Sequence, residues 1–193
     1  MRFKQDILGK GFIMCLTLMA LWGSPARAHD LNTSYTTVWV HPDSLKIMLS
    51  IESADITTGL GLRRTGGGCL GREDLRESTQ LVSAYVVEHR DGTVDGERLE
   101  WVFAGSHPGL DAEGNIFLKL SYIAALDEAP AEVEVRVDFS DKLGKTHKSL
   151  GKIVVPGKFM KAVVFSRKNP SQLFVLGKKV SVWEQVVEFT RLG

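Results

Sequence analysis

The chain has 193 residues, 44% of them hydrophobic and 24% charged, with 24 basic residues nearly balanced by 23 acidic ones. Such a length fits one ordinary domain with a real core rather than several domains. A formal charge of +1 excludes the strong overall excess by which many polyanion-binding proteins are recognised.

Arg2 and Lys4 precede an apolar run over residues 12–22, and Ala26-Arg27-Ala28 sets small residues at the two positions that a signal peptidase reads. Residues 1–28 are therefore expected to be a signal peptide cleaved after Ala28, with the product periplasmic or on the outer face of the cytoplasmic membrane. The run holds about a dozen residues where a spanning helix needs about twenty, which favours cleavage over anchorage. Cys15 follows Phe12-Ile13-Met14 and lacks the small residue that precedes a lipidated cysteine. Beyond Trp22 no stretch approaches the length of a span.

Removing this leader takes out Arg2, Lys4, Lys10, Arg27 and Asp6 and leaves a net charge of −2, unevenly placed. Residues 140–193 hold eleven basic residues against Asp141, Glu184 and Glu188, so the acids concentrate before them. That asymmetry points to an oriented surface, such as one facing anionic headgroups or an acidic partner. Only Cys69 survives processing, which precludes an intramolecular disulfide. It sits among Gly66, Gly67, Gly68 and Gly71 and is read as a loop residue.

Strand patterns dominate the chain beyond the leader. Residues 34–40 are mostly β-branched or aromatic, His41-Pro42-Asp43-Ser44 has proline at a turn's second position, and Leu45, Ile47, Leu49 and Ile51 alternate with smaller or polar residues. This is a hairpin. The linker at 57–72 is glycine-rich and is expected to be mobile. Asp74 is placed to cap a helix over 74–89 whose stripe is Leu75, Leu81, Val82, Tyr85 and Val86, with Asp91-Gly92 turning the chain afterwards. Further strands are expected at 99–104, 116–122, 132–139, 149–155, 162–166 and 172–176. In the clearest, Val133, Val135, Val137 and Phe139 face a core, while Glu132, Glu134, Arg136 and Asp138 form a solvated face. At the end, Ser181 with Glu184 three residues on caps an amphipathic helix over 181–193 carrying Val182, Val186 and Phe189. The pattern predicts a mainly β protein: an antiparallel β-sandwich over 29–180 with one inserted helix and this C-terminal helix.

Catalytic motifs are missing from this pattern. A phosphate-binding loop needs Lys and Ser/Thr after its last glycine, but Cys69 and Leu70 follow Gly68, and Gly59-Leu60-Gly61 does not continue into a dinucleotide fingerprint. Gly105-Ser106-His107-Pro108-Gly109 has the wrong order for a nucleophile elbow and reads as a proline turn. The basic third lacks interleaved aromatics, so neither nucleic acid nor nucleotide is expected as a ligand, and the chain reads as a non-enzyme.

Among His29, His41, His89, His107 and His147, no pair has the spacing of a metal motif. His29 is a separate case. Cleavage after Ala28 makes it the first residue, where α-amine and imidazole together suit copper or nickel, with His41 the candidate for a third ligand. A self-standing periplasmic metal-binding module is thus one reading.

The other comes from a resemblance. The leader ending in Ala-x-Ala, the start His29-Asp30-Leu31, the β-rich body with one helix, and the terminal Val186-Val187-Glu188-Phe189-Thr190-Arg191-Leu192-Gly193 resemble the extracytoplasmic N-terminal domain of HupE/UreJ-type membrane proteins, putative nickel/cobalt permeases. In that family a histidine-bearing membrane helix comes after this point, and its metal-path residues have no counterpart among these 193. The resemblance implies an accessory domain that binds a permease partner or a membrane surface or delivers metal (nickel or cobalt), its C-terminal helix a connector near the membrane.

Overall fold

The computed structural model describes residues 32–63 and 67–176. The proposed leader 1–28, His29 and the expected helix at 181–193 lie outside them. Strands β1 (Thr33–Val40) and β2 (Ser44–Glu52) form the hairpin read from the sequence, closed by the His41 N–H donating to the Ser44 carbonyl at 2.8 Å. Leu45, Ile47, Leu49 and Ile51 are all fully buried. Each contributes roughly 1.5–3 kcal/mol of apolar transfer, which fixes the register, since a one-residue slip would expose the whole set.

The remaining strands are β3 (Arg90–Val94), β4 (Glu97–Arg98), β5 (Val102–Leu110), β6 (Ile116–Ala125), β7 (Glu132–Val137), β8 (Lys148–Val155), β9 (Phe159–Ser166) and β10 (Ser171–Val175). They make a six-stranded sheet, in the order β5-β6-β2-β1-β8-β9, and a four-stranded sheet, β10-β7-β3-β4. The protein is mainly β and sandwich-like, with one departure from antiparallel pairing. Strand β1 runs parallel to β8, Thr33 opposite Lys148 through Trp39 opposite Val154. The cause is topological: the chain leaves β7 in the small sheet, crosses through residues 138–147, and enters the large sheet beside β1 in the same direction.

Among the described residues three helices accompany the sheets: α1 (Ser53–Gly59), α2 (Arg72–Glu77) and α3 (Thr79–His89). The single helix expected over 74–89 is therefore two, broken at Ser78, whose hydroxyl donates back to the Asp74 carbonyl at 2.7 Å. Asp74 is not the cap residue. It sits three residues inside, where its carboxylate accepts the Gly71 N–H at 2.7 Å, half of a capping box. Leu75, Val82, Tyr85 and Val86 enter the core as expected, but Leu81 is exposed. Part of the expected mobile linker is α1, and Leu70 beyond it is buried, its carbonyl accepting from Ser53 and its N–H donating to Thr57 Oγ1 at 3.1 Å.

Two turn assignments are also corrected. Asp91-Gly92 lies within β3; the turn is Asp95-Gly96, where φ is 50° and 85°. The Gly105-to-Gly109 segment is not a turn but the middle of β5, an edge strand that begins at Val102 rather than residue 99. An edge tolerates Pro108, and a bulge between Phe103 and Gly105, with φ of 127° at the glycine, bends the strand.

Candidate functional site

The four described histidines form no cluster able to hold a metal ion. His41 sits half-buried in the β1–β2 turn, and His107 is exposed on β5 opposite Lys119. His147 is buried against Ser34, its Nε2 3.0 Å from the hydroxyl. Burial pulls its pKa down to about 4, against an upward pull from Asp138, so the ring is neutral. Among the described residues no group of three His, Cys, Asp or Glu side chains could hold a metal ion. Cys69 is an exposed free thiol.

One histidine belongs to a polar cluster that the sequence did not disclose. His89, at the end of α3, places Nδ1 2.7 Å from the Tyr85 carbonyl and Nε2 3.1 Å from an Asp141 carboxylate oxygen. The Tyr85 hydroxyl donates to Asp141 at 2.9 Å and to the Phe139 carbonyl at 3.1 Å. Partial burial pushes the Asp141 carboxyl up, but the hydrogen bond from Tyr85 and the charge of His89 bring it below its ordinary value. Burial, reinforced by Asp141, raises the Tyr85 hydroxyl well above its usual range. Both nitrogens of His89 are engaged, so neither is left to take a proton from a nucleophile. The cluster ties α3 to the crossing segment.

The most distinctive surface is the outer face of the six-stranded sheet. Register alone places Met160, Val154, Trp39, Lys46, Ile123 and Val102 side by side, one from each of β9, β8, β1, β2, β6 and β5. At the usual strand spacing that row spans about 24 Å. Met160, Ile123 and Val102 are exposed, and four residues further along on the same face so are Tyr35 and Leu150. Lys46 lies over the Trp39 ring, Nζ 5.6 Å from its centroid. Lys119, Lys148 and Lys152 share this face, against Glu52 as its one strand acid. The outward positions of the small sheet carry Asp91, Glu132 and Glu134 against Arg98 and Arg136, with Leu173 and Val175 exposed beside them. Exposed apolar side chains interspersed with lysines make this face a candidate contact surface.

No protein-family model matches the chain, and a comparison with curated proteins finds no match. No described helix is long and apolar enough to cross a membrane.

Proposed function

We propose that this chain is an exported, non-catalytic docking domain, the extracytoplasmic part of a HupE/UreJ-like metal permease system, that lies with the outer face of its large sheet against anionic lipid headgroups. The observation that carries the reading is that face. Aromatic residues with a polar edge, Trp39 and Tyr35, stand among exposed aliphatics and lysines, the combination that suits the boundary between headgroups and acyl chains. Each lysine held near an anionic surface contributes about 1 kcal/mol, and the strands of the other sheet carry no lysine. The leader pattern supports export, and the terminal sequence supports the permease association. The metal site proposed on His29 lies outside the described residues, and among those described His41 belongs to no group of three potential ligands.

Co-sedimentation of the full chain with vesicles tests this. Wild type should bind vesicles containing about 30% phosphatidylglycerol more strongly than phosphatidylcholine alone, with binding that weakens as salt rises. The variant K46E/K119E/K152E carries the same leader, so any contribution from that segment cancels in the comparison. It should lose the anionic preference. Equal binding by variant and wild type would overturn the reading.

A further inference from the structure

A second site lies away from that face, where α3 passes into β3. Arg90 closes α3 and begins β3, and it is 6% exposed. Its guanidinium carbon lies 4.0 Å from the Tyr122 ring centroid and 4.9 Å from that of Trp101. Among the described residues it forms no ion pair, and neither its Nε nor the indole nitrogen of Trp101 has a hydrogen-bond acceptor. Arg90 donates a hydrogen bond to Tyr122 and Asp91 attracts it without pairing, the Asp91 carboxylate being held by Arg98 at 3.2 Å to Nε and 3.0 Å to Nη2. Two ring faces offset part of the cost of burying a cation, but they supply no anion. Replacing such a residue by an apolar one is often neutral for a fold, so stability alone gives little reason for an arginine here.

These groups border an open cleft of about 370 Å³ whose walls include Val87, Leu99 and Trp101 beside Arg90. The cleft is built on Gly92. A Cβ there would lie 3.2 Å from Leu99 Cδ1, 3.2 Å from Trp101 Cζ2 and 3.2 Å from the Glu134 carbonyl oxygen, so the glycine lets both side chains settle closely onto β3. The lining divides between Val87, Leu99 and Trp101 and the charged Arg90, Asp91, Arg98 and Glu100, and apolar walls beside a buried cation whose Nε lacks an acceptor suit a small amphiphilic ligand. Asp91 and Glu100 at its rim disfavour a dianion such as phosphate.

We propose that this cleft binds a small amphiphilic monocarboxylate, its carboxylate on Arg90 and its apolar body against Trp101 and Leu99. The inference is independent of membrane docking.

Benzoate is the probe, benzamide its neutral isostere, and inorganic phosphate the competing anion, with tryptophan fluorescence of the full chain as readout. Benzoate should quench saturably with a millimolar or lower Kd and bind at least about tenfold tighter than benzamide, a margin of about 1.4 kcal/mol. Arg90→Met should abolish that preference while keeping a cooperative urea transition, and Trp101→Phe should remove the signal. The benzoate–benzamide comparison needs no variant and so stands even where R90M fails to fold. Equal affinity for the two probes, tighter binding of phosphate, or unchanged binding by a folded R90M would each overturn the proposal.

Discussion

Two buried titratable residues give the fold opposing responses to acid. Asp55 in α1 is 7% exposed with Oδ2 unpartnered; burial, then the Glu52 carboxylate, pushes its pKa up to about 6. Its folded state holds a proton that the unfolded chain releases near 3.8, so its contribution is full below that value and lost as pH rises to about 6. His147, depressed to about 4, works the other way: its contribution is full above 6.5 and lost as pH falls towards 4. Each shift corresponds to about 3 kcal/mol at most, so between them the wild type should show a flat profile. Asp55→Asn should leave stability rising with pH across this window, and His147→Gln should leave it falling. Urea midpoints at about pH 4.5 and 6.5 check both, and two parallel variant profiles would refute the account. Neither behaviour was legible in the sequence, where both are single polar residues and only the packed structure says which groups lack partners.

At the scale of elements, legibility depended on how local the signal was. The β1–β2 hairpin and β7 read correctly because alternation and turn chemistry sit within one short window. Strand β5 did not, because Gly105 and Pro108 are turn residues in most contexts and only its edge position admits them. Two Asp-Gly pairs stand four residues apart; the second makes the β3–β4 turn, whereas in the first Gly92 is needed for close packing. The break at Ser78 was hidden because Leu75, Val82, Tyr85 and Val86 keep one stripe through both helices. Helix α2 itself depends on its N-terminal box, and Asp74→Ala should cost about 1 kcal/mol. Strand β8 depends on Gly151, where a Cβ would lie 2.8 Å from Val163 Cγ2 and 2.9 Å from Phe165 Cε2. Gly151→Ala should therefore lower the urea midpoint by about 1–3 kcal/mol of stability through overpacking between β8 and β9.

On the scale of the whole molecule, the basic C-terminal third foreshadowed part of the charged surface, since Lys148 and Lys152 come from it. The row from Met160 to Val102 could not be read in advance, because its six residues come from six strands and meet only through register. The Arg90 cleft was equally hidden, its lining coming from α3, β3, β4 and the segment after β4. The parallel pairing of β1 with β8 has a consequence of its own in time. Thr36 and Ser149, whose hydroxyls lie 2.6 Å apart within that pair, are 113 residues apart in the chain. The centre of the large sheet thus stays open until nearly all of the domain has been made, and topologies of this kind close in milliseconds to seconds rather than microseconds. Stopped-flow refolding should show that slow phase, and microsecond closure would contradict it. If the chain is exported as proposed, late closure keeps it passable through a narrow channel.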